Sequence, residues 1–372
     1  MMQESRSKNG ERTVIAYPNR TITGQSEDAP VAGAAQRAVA MWLFTVCFLI
    51  IGLVVFGGYV RLTRSGLSIV EWNVITGVIP PLGEAAWQAE FAKYQQTPEL
   101  QKVNQAMTLE YKSIFYVEYF HRLIARIAGL IVVAPLFVFL WREAIPWRKS
   151  GVYWLIAVLF GFQGFLGWYM VSSGLVDRPS VSHYRLTIHL LTALALLALT
   201  LWIALRLAYG APRPAQHSAQ SGASGWGVAL LAVLVLQIAY GGLVAGMKAG
   251  HASDTWPLMF GYLLPPGLLS VVQPWWVNLL ETAATVHFVH RWFAFVVLLV
   301  VAILFVRSRR SQHAAAIGRT LGLLLALVGV QIVLGISVVW FHVPLLLALS
   351  HQAVALLLFV VVIVLNYQLR RA

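Results

Sequence analysis

The chain has 372 residues, 59% of them hydrophobic and only 11% charged, and its mean hydropathy is +0.73. So little polar surface cannot cover a water-soluble globule of this size, which excludes ordinary soluble enzymes and binding modules and leaves an integral membrane protein. The formal charge of +13 raises nucleic acid as a partner, but no stretch interleaves Arg with aromatic residues as a binding groove requires, so none is expected.

In chain order, residues 1–37 are polar and basic with no apolar run at the start. They are expected to form a disordered cytoplasmic tail ahead of a retained membrane anchor. Apolar stretches follow at 38–60, 114–140, 151–173, 184–207, 226–247, 277–306, 316–339 and 343–368. At a rise of about 1.5 Å per residue, each is long enough to cross a hydrocarbon layer of about 30 Å as a helix. The expected fold is all-α, with eight transmembrane helices arranged as two pseudo-symmetric four-helix bundles, 38–208 and 226–372, joined by a cytoplasmic linker at 209–225.

The basic residues are distributed as a topology signal. Arg6, Lys8, Arg12, Arg20 and Arg37 precede the first span, while Arg142, Arg148, Lys149, Arg206, Arg213, Arg307, Arg309, Arg310, Arg319, Arg370 and Arg371 fall in the even connections and the C-terminus. The 61–113 loop on the other side balances its bases with Glu71, Glu84, Glu90, Glu99 and Glu110. The positive-inside rule then places both termini in the cytoplasm. Trp72, Trp87 and Tyr94 in that loop, and Trp256, Trp275 and Trp276 in 249–276, suit either an aromatic belt at the membrane boundary or contacts to a ligand.

Two halves of the sequence echo each other. Glu118-Tyr119-Phe120-His121-Arg122 corresponds to His287-Phe288-Val289-His290-Arg291, and His189 to His351; the separations are 169 residues for His121 and His290 and 162 for His189 and His351. Gln163 and Gly167 in the third span match Gln331 and Gly335 in the seventh, and Gly57-Gly58 in the first matches Gly241-Gly242 in the fifth. Span order is preserved, so the repeat is parallel, with its axis near the membrane normal. All four histidines fall two to four turns past the outer ends of even-numbered spans. One intramembrane histidine can be a packed polar residue bonded to a carbonyl. Four at matching depth favour paired axial ligands to haem iron, one pair per half. Zinc is less attractive, because each half offers two matched histidines and the sole cysteine, Cys47, lies within the first span as a packing residue.

Arg122 and Arg291 follow their histidines, and a buried guanidinium needs a carboxylate, a propionate or water. A haem propionate is the first candidate, with an ion pair to Glu118 or Glu281 as the structural alternative. Glu118 lies three residues before His121 on the same helical face, while His287 takes its place in the second half. That asymmetry points to chemistry in one half and electron carriage in the other.

Across roughly residues 38–369 the chain resembles the haem A synthase family. The matching motifs are Gly57-Gly58-Tyr59-Val60-Arg61-Leu62-Thr63-Arg64-Ser65-Gly66-Leu67-Ser68, Glu118 to Arg122, His189, His290-Arg291 and His351-Gln352. The resemblance implies oxidation of one methyl group of haem O by successive hydroxylation, the gem-diol losing water to leave the formyl group of haem A for cytochrome oxidase. It also implies that His290 and His351, with Arg291, hold a resident haem b, that His121 and His189, with Arg122, hold the haem O substrate, and that Glu118 is essential to turnover. Glu118 can relay a proton, orient water or stabilise a cationic intermediate. The implied partners are the synthase that supplies haem O, an electron donor, cytochrome oxidase assembly factors and the lipid bilayer; the implied address is a bacterial inner membrane. Members with a cysteine pair in the first outer loop differ from this chain, which has no cysteine in 61–113. The alternatives by class are a two-haem electron-transfer cytochrome and a haem carrier.

Overall fold

The computed structural model describes residues 33–102, 111–176, 179–211, 218–310 and 315–371. Residues 32–372 form one compact unit. The expected tail falls outside the described residues up to residue 32, as do residues 212–217 of the linker.

Eight helices are long and apolar enough to cross a membrane: α1 (Ala34–Leu62), α4 (Tyr111–Trp141), α5 (Gly151–Ser172), α6 (His183–Tyr209), α7 (Ser218–Met247), α9 (Ala283–Arg310), α10 (Ala315–Trp340) and α11 (Leu345–Leu369). Short helices α2 (Glu84–Gln95) and α3 (Pro98–Lys102) lie in the first long connection, and α8 (Asn278–Glu281) precedes α9. Along the transmembrane segments large apolar side chains such as Phe48, Leu130, Val158 and Leu299 point outward. Such a surface is stable where lipid is the solvent, and helices suit it because their interior backbone groups are bonded within the segment.

Helix α1 packs on α4 and α6, and α5 bridges α4 and α6; in the second half α7 packs on α9 and α11, and α10 bridges those two. The halves meet where α6 crosses α7 and where α11 touches α1 and α6. Small residues allow these approaches. A Cβ at Gly246 of α7 would lie 2.5 Å from the Cα of His183 at the start of α6. Gln352 of α11 donates 2.7 Å to the Val54 carbonyl of α1, tying the halves together.

The largest apolar cluster fills the end of the molecule nearer the chain termini, with Leu43, Leu136, Leu197, Leu230, Leu324 and Leu365 almost wholly buried and Cys47 among them. Polar ties fix its register: Trp42 Nε1 donates 2.7 Å to the Ile131 carbonyl and Asn366 Nδ2 donates 3.0 Å to that of Gly227. This cluster stops short of the histidines, which lie toward the opposite, loop-bearing end.

Two element boundaries depart from the sequence expectation for identifiable reasons. The sixth span does not begin at 277: the buried Asn278 side chain donates to the carbonyls of Leu269, Val272 and Trp275 and accepts from Val272 N and the Thr282 hydroxyl, and Thr282 is extended. Those bonds use Asn278 to order the loop, so α8 ends and α9 starts afresh at Ala283. The 61–113 connection, read from sequence as a loop, contains α2 and α3 because Trp87, Tyr94, Leu100, Tyr111, Ile114, Phe115 and Tyr119 form a small core of their own. Trp87 and Tyr94 are therefore interior residues of the loop and not part of an aromatic belt. Glu99 is enclosed beside this core, and burial pushes its carboxyl up to about 7 against the opposing pull of Lys248 and Arg64.

Candidate paired-histidine site

The four histidines occupy four versions of one local arrangement. His121 is on α4, His189 on α6, His290 on α9 and His351 on α11, and each imidazole lies over a glycine of the preceding long helix. A Cβ added at Gly57 would lie 3.3 Å from the His121 ring, at Gly167 3.6 Å from His189, at Gly241 3.2 Å from His290 and at Gly335 3.0 Å from His351. At Gly57, Gly241 and Gly335 a Cβ would crowd the ring, whereas at Gly167 it would make an ordinary van der Waals contact. One helical turn earlier, Gln163, Gln237 and Gln331 donate from Nε2 to the backbone carbonyls of His189, His290 and His351 at 3.3, 3.0 and 3.0 Å. A Gln and a Gly four residues apart share a helix face, so one strip of helix both receives the ring and fixes the histidine's backbone. At the fourth position the residue is Leu53. The repeating unit is thus a helix pair, used four times. Gln237 was overlooked in the sequence reading, although its spacing to Gly241 repeats that of Gln163 to Gly167 and Gln331 to Gly335.

The second-half pair is the more tightly defined. The rings of His290 and His351 have centroids 6.3 Å apart at an interplanar angle of 80°. The Nδ1 atoms of His189, His290 and His351 and the Oε1 atoms of Gln163, Gln237 and Gln331 are buried without a hydrogen-bond partner. Buried polar atoms without partners are costly and call for an explanation. Two imidazoles bound to one iron at about 2 Å each need centroids roughly 6 Å apart, which the His290–His351 pair meets. The donor set and spacing fit haem. Among the described residues, no group of three or more His, Cys, Asp or Glu is placed to hold a bare metal ion.

The residues beside the histidines clamp the long loops. Arg122 Nη1 and Nη2 donate to the carbonyls of Glu71 and Ile69 at 3.0 and 2.9 Å, and Arg291 Nη1 and Nη2 donate to those of Thr255 and Ser253 at 2.8 and 3.0 Å. Ile69 and Ser253, like Glu71 and Thr255, are 184 residues apart, the same offset as Gly57 and Gly241. The duplication therefore extends past the helices into the loops. Arg122 also pairs with Glu118 Oε1 at 2.5 Å, the ion pair that sequence offered as the alternative to a propionate. Arg291 instead donates from Nε to His287 Nε2 at 3.0 Å, and Glu281 meets Tyr184 and His183. The other Glu118 oxygen accepts from Ser68 Oγ at 2.8 Å and Ile69 N at 2.9 Å. Both oxygens of this buried carboxylate are thus engaged by loop and guanidinium.

Trp72 and Trp256, also 184 residues apart, end these clamped segments differently. The Arg122 guanidinium carbon lies 4.7 Å from the Trp72 ring centre, and the Trp72 Cη2 atom lies 3.9 Å from the Cβ position at Gly167, the gap that His189 also enters. Trp256 likewise has the Arg291 guanidinium carbon 6.0 Å from its ring centre, but it packs among Trp292 and Phe295, at centroid distances of 5.5 and 6.1 Å.

Fold and site together define a polytopic helical membrane protein with paired intramembrane histidines in each half. Residues 40–363 match the family of cytochrome oxidase assembly proteins. The chain is 43% identical over 343 residues to a protein of Nitrosospira multiformis, covering 91% of this chain and 95% of that one. It is 44% identical over 353 residues to one of Allorhizobium ampelinum, covering 91% and 94%, and 43% identical over 340 residues to one of Brucella anthropi, covering 90% and 92%. Each of these relatives is named haem A synthase. The chain belongs to this family.

Proposed function

We propose that the protein is a haem A synthase, an oxidoreductase that converts a methyl substituent of haem O to a formyl group by successive hydroxylations. The observation that carries this reading is the fourfold imidazole-over-glycine arrangement in a chain that matches haem A synthases over nine-tenths of its length. His290 and His351 hold a resident haem b, which supplies one-electron redox chemistry. His121 and His189 receive the iron of the substrate haem O. The N-terminal half, 38–208, is the substrate half and 226–372 the resident-haem half. Arg122 and Arg291 act by fixing the loops over the two sites, and Glu118 is essential to turnover through the same loop. Leu53 leaves the His121 backbone without the glutamine tie that the other three share, as suits a site whose occupant must leave. Electrons come from a separate donor, haem O from its synthase, and the product passes toward cytochrome oxidase assembly.

Cells that supply haem O should accumulate haem A when this chain is produced, as read by chromatography of extracted haems. Unchanged haem O alongside a reversible two-haem spectrum would overturn the reading in favour of an electron-transfer protein. The membrane is a bacterial inner membrane with both termini cytoplasmic, as the clustering of Arg and Lys on one side supports. Single cysteines placed at Asn73 and Ser270, in a Cys47→Ser background, should react with an impermeant thiol reagent from the outside of intact cells. Labelling only after lysis would reverse the orientation.

A further inference from the structure

We propose that Trp72 is a substrate-contacting residue of the N-terminal site, with its indole lying against the macrocycle on the His189 side. The inference rests on the assignment of that site to haem O and adds the residue that grips it.

The equivalent loops of the two halves put their tryptophans in different places. Both segments are held by an arginine that donates to two loop carbonyls two residues apart, and the first segment is held further by Glu118, which accepts from Ser68 Oγ and Ile69 N. Trp256 rests on an aromatic shelf, with Phe295 stacked at 14° and Trp292 tilted at 33°. The three atoms nearest the Cβ position at Gly335 all belong to His351. Trp72 reaches the corresponding glycine of the first half, where its Cη2 atom and the His189 Cε1 lie 3.9 and 3.6 Å from the Cβ position at Gly167. A macrocycle held by His121 and His189 would have the Trp72 indole tip as a neighbour on the His189 side.

Chemistry favours the match. An indole offers a broad apolar face for a conjugated macrocycle at little cost in conformational entropy, and it displaces water from an oxidation site. The buried Arg122 guanidinium lies 4.7 Å from the centre of the partly exposed indole and holds it by a cation–π contact. Glu118 acts on Trp72 at one remove, because it fixes Arg122, Ser68 and the Ile69 amide. It is a positioning residue in this scheme. The second half, with His287 in place of Glu118 and Trp256 set aside, has the form suited to a permanent occupant.

The test uses purified full-length protein carrying its resident haem, titrated with haem O and followed by Soret absorbance. Trp72→Ala should weaken haem O binding at least tenfold, Trp72→Phe should recover most of the affinity, and Trp256→Ala should bind haem O as the wild type does. Resident haem content and its spectrum report the fold in every variant and should not change. Affinity within twofold of wild type in Trp72→Ala, or equal loss in Trp256→Ala, would overturn the role. Parallel titration of His121→Ala separates the two levels of the argument. If that variant binds haem O as well as the wild type, the substrate-site assignment itself fails, and the role of Trp72 with it; if its binding is lost while that of Trp72→Ala is intact, only the role of Trp72 fails.

Discussion

If His290 and His351 hold a resident haem b as proposed, replacing either with alanine is expected to empty that site and abolish the low-spin b-type spectrum of the purified protein. The two ring centroids stand 6.3 Å apart, and each ring is in tight contact with the Cβ position of a glycine, Gly241 or Gly335. Alanine would remove one of the two imidazoles proposed to hold the iron, and neither Gln237 nor Gln331 would replace it, since each amide nitrogen is already committed to the histidine backbone at 3.0 Å. A ligand that binds only the folded state also stabilises it by mass action, so the variants should unfold at lower temperature than the wild type; at a ligand concentration of about 100 times Kd the difference amounts to roughly 2.7 kcal/mol. Reduced-minus-oxidised spectra, haem quantification and thermal unfolding on the same preparations check this. Wild-type haem content and spectrum in both variants would sink the assignment. His121→Ala and His189→Ala should leave the spectrum of the proposed resident haem intact, because these histidines lie on α4 and α6 and not on α9 and α11.

Much of this arrangement is legible in the sequence because lipid simplifies the rules. With no water to satisfy a backbone, apolar runs of sufficient length must be helices, and the observed spans match the expected ones to within a few residues at most ends. The exceptions are informative: Asn278 cuts the sixth span by bonding to its own loop, and α7 begins at Ser218 inside what composition marks as a linker. The closeness of His290 and His351 accords with the match of motifs and separations between the halves, since a ring over a glycine requires both residues to keep their depth in each copy. Three features were not legible. The engagement of Arg122 and Arg291 depends on carbonyls of Ile69, Glu71, Ser253 and Thr255, and a carbonyl has no sequence signature. The loop core around Tyr94 and Trp87 needs α2 and α3 to fold back on the start of α4, and alternation within 84–102 does not specify that docking. The divergence of Trp72 and Trp256 arises from neighbours, Gly167 in one half and Trp292 with Phe295 in the other, that are far from each tryptophan along the chain.

Glu118→Gln is expected to fold, keep its resident haem and lose at least nine-tenths of haem A output, with haem O or a partly oxidised product accumulating. Glutamine retains one oxygen to accept from Ser68 and the Ile69 amide, but it turns an NH2 group toward the Arg122 guanidinium and removes the charge that guanidinium faces. Breaking one side of a buried ion pair typically costs about 3–5 kcal/mol. Here part of that is offset, because Arg122 still donates to the Glu71 and Ile69 carbonyls, so the loss falls on the 68–72 segment and not on the helix bundle. A carboxylate that only moves protons and one that holds the loop make different kinetic predictions. Loss of a proton carrier would lower kcat while haem O affinity stayed at the wild-type value. Loss of a loop clamp would weaken haem O binding as Trp72→Ala does, and Ser68→Ala, which removes one hydrogen bond to the same carboxylate and no charge, would show a smaller effect of the same kind. The structure favours the second pattern, since both Glu118 oxygens are already bonded within the protein. The deciding measurements are haem profiles from cells co-producing the haem O supply and Soret titrations of Glu118→Gln and Ser68→Ala, with protein level and resident haem followed alongside. Normal haem A yield from Glu118→Gln would remove Glu118 from turnover altogether, and loss of its resident haem would make the Glu118–Arg122 pair a support of the whole fold.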